Sequence, residues 1–335
     1  EALTDVTIPD SVTSIGDYAF YGCKALTSAC FKGDAPTVGS FAFQIYHETG
    51  STKGHINIPG LTLYYIDGKE GWTTPTWGSD AYPTATWNGV NIPEIQTGTC
   101  GENLTWTLDS GVLTISGTGD MTDFSDIASV PWSSERFTLK KVIIEQGVTG
   151  IGKNAFNDTR PLSGVTIPEG VTRIGDNAFY WCVGLKSIDL PKSLTSIGNW
   201  SFCGIGMSSL ILPEGLTEIG NSAFSKCAQL TTVEIPKNVT TIGTNVFSQC
   251  TSLTKISVAE DNSAYASDGI ALFNKEKTSL LTFPCGRGGT YSIPDGVTYI
   301  APDAFELCSA LTEVEFPDGV ETICGWAFRG CTGLE

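Results

Sequence analysis

The apolar residues of the chain follow one phrase, Val-x-Ile-Pro-x-x-Val-Thr-x-Ile-Gly-x-x-Ala-Phe-x-x-Cys, which recurs about every 23 residues. A clear copy begins at Val165 and ends at Cys182, and Leu162 stands three residues ahead of it. A fixed period of this length is typical of solenoids, in which each unit buries its apolar edges against its neighbours. The pattern therefore predicts a stack of similar coils.

Within one unit, the pattern predicts two short strands and one helical turn. Apolar and polar residues alternate in Val165-Thr166-Ile167, as in a strand with one buried face. Pro168 ends this strand because proline cannot donate a hydrogen bond to a sheet ladder, and Pro-Glu-Gly is a turn signal. Val-Thr-x-Ile predicts a second strand, and Ala-Phe-x-x-Cys predicts a single α- or 3₁₀-helical turn. The expected fold class is a β-rich α/β solenoid.

These phrases resemble the BspA-like leucine-rich repeat family of bacterial surface proteins. The resemblance covers roughly residues 1–60 and 139–335. Proline stands where leucine-rich repeats usually carry an asparagine ladder, which favours the BspA-like subtype over receptor-type repeats. The resemblance implies a right-handed leucine-rich solenoid, secretion or display at the cell surface, and adhesion to host or bacterial surface proteins.

Residues 61–97 and 98–138 depart from the repeat, so the sequence predicts four segments. Residues 1–60 are expected to form the C-terminal end of a first array, and residues 61–97 an aromatic-rich linker or cap. Residues 98–138 contain alternating runs around Asp109-Ser110-Gly111, which predict a β-hairpin. Their resemblance to a segment often found ahead of such arrays implies an N-terminal cap. Residues 139–335 are expected to form a second array with a hairpin insertion at 262–290, and whether Leu281-Thr282-Phe283-Pro284 is itself a repeat strand stays open.

The net charge and the hydropathy of the chain argue against some classes of partner and against a membrane span. The net charge of −17 argues against binding nucleic acids or anionic membrane surfaces. There is no apolar run of about 18 residues, so the sequence predicts no membrane span. Leu3 and Leu334 each occupy the opening Leu position of a repeat. We therefore expect a longer protein, with its secretion signal and anchor outside this sequence, and end-to-end self-stacking of the end coils.

The eleven cysteines divide by their position in the repeat. Six lie three residues after the repeat Phe, where a small apolar side chain fills the core, and are predicted to be buried free thiols: Cys23, Cys182, Cys227, Cys250, Cys308 and Cys331. For the other five the sequence leaves a disulfide open: Cys30, Cys100, Cys203, Cys285 and Cys324. The absence of any C-x-x-C pair argues against a zinc ribbon or a thioredoxin-type redox motif.

The sequence predicts no catalytic centre, no cofactor and no metal site. Only two histidines are present, His47 and His55, and no nucleophile motif accompanies either one. Asp120, Asp123 and Asp126, spaced by three, lack the frame of a calcium loop, so a solvated loop is expected. Glu234 and Glu315 share one repeat position, but several repeats separate them, too far for a glycosidase pair. We expect a protein that is not an enzyme.

Binding is the expected function, through residues that point outward from the first strand of each repeat. The candidates on that sheet face are Asp189, Glu234, Ser257, Glu313 and Glu315. Variation of this column on a constant frame favours an extracellular protein ligand, although any solvated sheet face needs polar residues. An alternative is a carbohydrate-binding module that uses Trp72, Trp77, Tyr82 and Trp87, which could equally cover the end of the first array. A third alternative is a spacer within a larger surface protein.

Overall fold

The computed structural model describes residues 3–49, 52–73, 76–78, 80–86 and 95–335. The chain forms two compact units, residues 1–94 and 95–335. Both units are built from short strands and turns, and the only helix among the described residues is the 3₁₀ turn Ser133–Glu135. Equivalent positions in successive coils are hydrogen-bonded about 23 residues apart, so the fold is a β-solenoid. One coil of the solenoid is called a rung below.

The first unit contains nine strands. They are β1 Asp5–Ile8, β2 Ser14–Ile15, β3 Ser28–Phe31, β4 Thr37–Val38, β5 Gln44–Thr49, β6 Thr52–Asn57, β7 Thr62–Tyr65, β8 Thr76–Trp77 and β9 Tyr82–Thr86.

A parallel sheet β1-β3-β7-β9 runs through the first unit, and β8 closes it as an antiparallel edge. The repeat was expected to end near residue 60, but β7 and β9 continue the same sheet. In β7, Leu63 and Tyr65 are buried and their neighbours are half-buried, which is the alternation of an ordinary strand. The aromatic residues beyond position 60 masked this alternation in the sequence.

The second unit begins with β10 Gln96–Gly101, β11 Asn103–Asp109 and β12 Val112–Asp120. Its repeats contribute β13 Lys141–Ile144, β14 Val148–Ile151, β15 Gly164–Thr166, β16 Arg173–Ile174, β17 Ser196–Ile197, β18 Glu218–Ile219, β19 Thr232–Ile235, β20 Thr241–Ile242 and β21 Lys255–Val258. The remaining strands are β22 Tyr265–Ser267, β23 Leu272–Asn274, β24 Ser279–Thr282, β25 Gly289–Ser292, β26 Tyr299–Ile300, β27 Leu311–Glu315 and β28 Thr322–Ile323.

These strands form two parallel ladders. Antiparallel strands β10, β11 and β12 precede them, and β12 pairs in parallel with both β13 and β14. The ladder of first strands runs through β12, β13 and β15, and resumes as β19-β21 and as β25-β27. The ladder of second strands runs without a break through β14, β16, β17, β18 and β20. Strand β12 thus satisfies the open edge of the first rung on both ladders.

A column of stacked aromatic rings fills the interior of the second unit. Trp132, Phe156, Phe179, Phe202, Phe224 and Phe247 follow one another with ring centroids 5.2 to 5.8 Å apart. Trp132 stands where a rung would place its Phe, and its Nε1 donates to the carbonyl of Ala155 at 2.9 Å. Residues ahead of position 139 therefore complete the apolar end of the stack.

The expected helical turn at Ala-Phe-x-x-Cys is wrong, and with it the α/β part of the fold class. The segment forms hydrogen-bonded turns that contain two left-handed residues, such as Asn177 and Trp181, each with φ of 55°. A right-handed helix cannot propagate through residues in this region. The period of the sequence predicts where the turn lies, but it does not predict which of its residues adopt a positive φ.

The insertion contains three antiparallel strands, β22, β23 and β24. Strand β24 then pairs in parallel with β26, and Phe283 stacks on Phe305 with centroids 4.9 Å apart. The segment Leu281-Thr282-Phe283-Pro284 therefore belongs to a rung, which answers the question that the sequence left open.

A polar ladder that the sequence analysis missed ties consecutive rungs together. The Oδ1 atom of Asp176 accepts the amide of Asn199 at 2.7 Å, and the Oδ1 atom of Asn199 accepts the amide of Asn221 at 2.7 Å. Asn221 in turn accepts the amide of Thr244 at 2.8 Å. Proline does replace asparagine at the expected position, but an Asp/Asn ladder exists directly after the repeat Gly.

All eleven cysteines are free thiols, and four of the six at the repeat position donate to a carbonyl of the neighbouring rung. The thiol of Cys182 donates to the carbonyl of Phe156 at 3.1 Å, and Cys250 donates to Phe224 at 3.1 Å. Cys182, Cys227, Cys250 and Cys308 are buried, whereas Cys23 and Cys331 are half-buried. Away from this position, burial raises the pKa of the Cys203 thiol to about 11.

Candidate binding surface

The outward residues of the first strands form the sheet face expected from the sequence. In β19, Thr232 and Glu234 are exposed while Val233 and Ile235 are buried. Ser257 in β21 is half-buried, and its hydroxyl donates to the carbonyl of Val233 at 3.2 Å. Ser257 therefore serves the contact between rungs and has less surface to offer a ligand.

Glu313 and Glu315 in β27 are exposed, and both accept hydrogen bonds from the neighbouring strand β25. Thr290 Oγ1 donates to Glu313 at 3.2 Å, and the Ser292 hydroxyl donates to Glu315. Both pairs follow the register of β25 and β27. Each of these carboxylates has further oxygen lone pairs that face solvent. They can accept hydrogen bonds from a ligand or pair with a cation.

The acidic candidates do not converge on one point. Asp189 lies on an exposed segment outside any strand, Glu234 lies in β19, and Glu313 and Glu315 lie in β27. Strands β19 and β27 belong to separate two-stranded sheets. The arrangement suits an extended contact surface better than a small concentrated site.

The aromatic run is part of the core of the first unit, which contradicts its use as a sugar platform. Tyr82 is fully buried and Trp77 is 9% exposed. Trp72 is half-buried, stacks on Tyr65 with centroids 5.1 Å apart, and donates from Nε1 to the carbonyl of Gly33 at 3.2 Å. Burial and the hydrogen bond to Asp80 raise the pKa of Tyr82 to about 12. Trp87 lies outside the described residues.

The three spaced aspartates are exposed to solvent, and each also accepts hydrogen bonds from protein donors. Arg173 bonds Asp120 at 2.9 Å and Asp123 at 3.2 Å, and Asp123 also accepts the amide of Lys153. Asp126 accepts the amide of Ser129 at 2.9 Å. Hydrogen bonds from Thr149 and Arg173 lower the pKa of Asp120. In the described part of the chain, no three Asp, Glu, His or Cys side chains gather as metal ligands.

The two histidines lie in the paired strands β5 and β6. The His55 ring lies 4.3 Å from that of Phe41 and 5.6 Å from that of Tyr21, measured between centroids. His47 lies in β5, and its side chain is outside the described part of the structure. In the chain as described, no helix combines the length and hydrophobicity needed to cross a membrane.

A cleft interrupts the sheet face between the rungs of Asp189 and Ile211, a feature that the repeat pattern does not predict. It has a volume of about 480 Å³ and is lined by residues that include Asp189, Lys192, Ile211 and Glu214. Ile211 is 85% exposed, although Leu210 and Leu212 beside it are buried. A signal existed in the sequence: the rung that contains Phe202 is one residue shorter than its neighbours.

Comparison with known proteins places the repeat in a described family. The model of the BspA type leucine-rich repeat region matches residues 1–61, 149–278 and 284–335, with six copies. No curated protein sequence matches the chain.

Solved structures that are similar to the chain include two bacterial proteins. A leucine-rich repeat protein from Eubacterium ventriosum is 32% identical with a TM-score of 0.65, and the alignment covers 70% of this chain and 63% of that one. The pneumococcal vaccine antigen PcpA is 22% identical with a TM-score of 0.50, covering 72% of this chain and 69% of the antigen. The chain thus spans less than two thirds of the Eubacterium protein, and the second likeness concerns the fold alone.

Proposed function

The chain belongs to the family of BspA-type leucine-rich repeat proteins, and from that premise we propose that it is a non-enzymatic binding module of the bacterial cell surface. Its ligand is an extracellular protein, recognised through the outward residues of the first-strand face. The observation that carries the proposal is the contrast on that face between a constant buried frame and exposed, variable side chains such as Glu234 and Glu313.

The alternative of a carbohydrate-binding module loses its main support. Trp77 and Tyr82 have no exposed ring face, and Trp72 is stacked on Tyr65, so these rings do not line a shared groove. Stacking of a sugar needs an accessible aromatic face. A spacer remains the rival that an experiment must separate from a binding module.

A panel of immobilised extracellular-matrix proteins and glycans tests the proposal. The intact chain is expected to bind a protein, and the double change Glu234→Lys and Glu313→Lys is expected to weaken binding about tenfold, equivalent to about 1.4 kcal/mol. The matched control changes Glu102→Lys and Glu218→Lys, which are exposed and lie away from the first-strand face. Equal weakening in both variants would indicate an effect of net charge alone. Absence of binding to every protein on the panel would favour the spacer.

A further inference from the structure

The first-strand ladder of the second unit opens at two consecutive rungs. On one side β13 pairs with β15, and on the other side β19 pairs with β21. The equivalent segments of the two rungs between them, residues 187–190 and 209–212, form no strand. The second-strand ladder and the Phe column pass these rungs without interruption. The opening is therefore confined to one face of an otherwise regular stack.

One residue is missing from the connection that leads into the second open segment, residues 209–212. Thr195 Oγ1 donates to the carbonyl of Thr172, 23 positions earlier, whereas Thr217 Oγ1 donates to Thr195, 22 positions earlier. The spacing from Phe179 to Phe202 is regular, so the shortening falls between Phe202 and Leu210. The connection there is tight, because a Cβ atom on Gly206 would lie 2.5 Å from the carbonyl oxygen of Val183. A short connection holds the following segment away from its ladder position.

The opening leaves main-chain groups without protein partners. Within the described chain, no amide of residues 187–190 or 209–212 donates a hydrogen bond to the protein, and no carbonyl of these residues accepts one. Burial alternates in the second segment as it does in a strand, because Leu210 and Leu212 are buried and Ile211 between them is exposed. Unpaired strand edges of this kind are templates for another extended chain.

The cleft also offers side chains suited to a peptide. Ile211 presents an apolar side chain that is 85% exposed, the largest exposed fraction among the large apolar residues of the described chain. Asp189 and Glu214 place two carboxylates on the lining, against one cation at Lys192. The volume of about 480 Å³ lies within the range of binding pockets. Cationic and apolar side chains in alternation would match this surface.

We propose that this cleft binds an extended peptide segment, whose main chain hydrogen-bonds to the open edges of residues 187–190 and 209–212. Apolar side chains of the peptide contact Ile211, and its basic side chains face Asp189 and Glu214. The proposal rests on the protein-binding function proposed above and names the chemistry of the ligand. Regularly alternating amide and carbonyl groups distinguish a peptide from a glycan, whose hydroxyls lack that period.

Hydrogen-deuterium exchange on the intact chain tests the proposal with a short, end-capped peptide of alternating Val and Lys. In the free protein, amides of residues 187–190 and 209–212 are expected to exchange faster than those of β19 and β21. The peptide is expected to slow the exchange of these amides and of no distant segment. A peptide of the same sequence, N-methylated at alternate residues, keeps the charge but loses donors, and is expected to bind at least about tenfold more weakly.

Two variants locate the contact. Ile211→Ser is expected to weaken binding of the peptide severalfold. Ile143→Ser, the same change in the outward column of an intact ladder, is expected to leave it unchanged. Equal binding of the methylated peptide, or peptide binding without protection at residues 187–190 and 209–212, overturns the proposal. Loss of the protein ligand in the Glu234 and Glu313 variant tests the sheet face separately, because neither residue lines the cleft.

Discussion

At the scale of single residues, the repeat glycine directly before each Asp or Asn of the ladder approaches the backbone of the preceding rung closely. A Cβ atom on Gly198 would lie 2.6 Å from the amide nitrogen of Asp176 and 2.7 Å from its Oδ1 atom. That oxygen already accepts the amide of Asn199. We expect Gly198→Ala to lower the free energy of unfolding by about 1 to 3 kcal/mol, measured by urea denaturation.

Gly164→Ala provides the matched control for this substitution. Gly164 also lies on a rung, but the nearest atom to an added Cβ is the Lys141 Cγ at 4.0 Å. Its free energy of unfolding is expected to change by less than about 0.5 kcal/mol. If both variants lose the same stability, the close approach at Gly198 is not what requires glycine there.

The buried thiols are expected to make the fold less stable at alkaline pH. Burial raises the pKa of Cys203 from 9.0 to about 11, because the interior disfavours the thiolate. The contribution of the neutral thiol to the free energy of unfolding is fully present below pH 9, and it is lost as the pH rises through about 11. We expect the free energy of unfolding of Cys203→Ala to fall less between pH 8 and pH 11 than that of the wild type, by about 2 kcal/mol. Parallel pH profiles would contradict this assignment.

At the scale of elements, the length of one connection decides whether a ladder closes. Inserting a Gly between Gly206 and Met207 restores the regular spacing from Phe202 to Leu210, so the following segment can reach its ladder position. Amides of residues 209–212 are expected to exchange at least about tenfold more slowly in this variant. Inserting a Gly between Glu276 and Lys277, in an exposed turn, is expected to leave these amides unchanged. Unchanged exchange in the first variant would show that the short connection is not the cause.

Most elements were predictable because each position recurs in many copies of the repeat with the same apolar or polar character. The first strands, the Phe column and the core position of Cys182 and Cys250 follow from that redundancy. The left-handed residues were not predictable from it, because Asn177 and Trp181 share no side-chain property that demands a positive φ. Trp77 and Tyr82 were ambiguous because a large aromatic ring suits a binding face and a core equally well.

The candidate site was predictable only in part. The outward orientation of Glu234 and Glu313 follows from strand alternation. The cleft adjoins a connection that is one residue short, and this difference does not change the phrase that identifies the two rungs. A consensus pattern averages over such a difference, so only a count of spacings reveals it.

At the scale of the whole molecule, the net charge of −17 should shape how a cationic ligand arrives. Attraction between opposite charges speeds association, and dissolved ions screen it beyond about 10 Å at 0.1 M salt. We expect the association rate of a basic peptide to fall about tenfold when the salt concentration rises from 0.05 M to 0.5 M, measured by surface plasmon resonance. Its dissociation rate should change much less, because main-chain hydrogen bonds and the contact with Ile211 are weakly screened. A dissociation rate that rises as steeply as the association rate falls would mean that surface charge, and not the open ladder, holds the peptide.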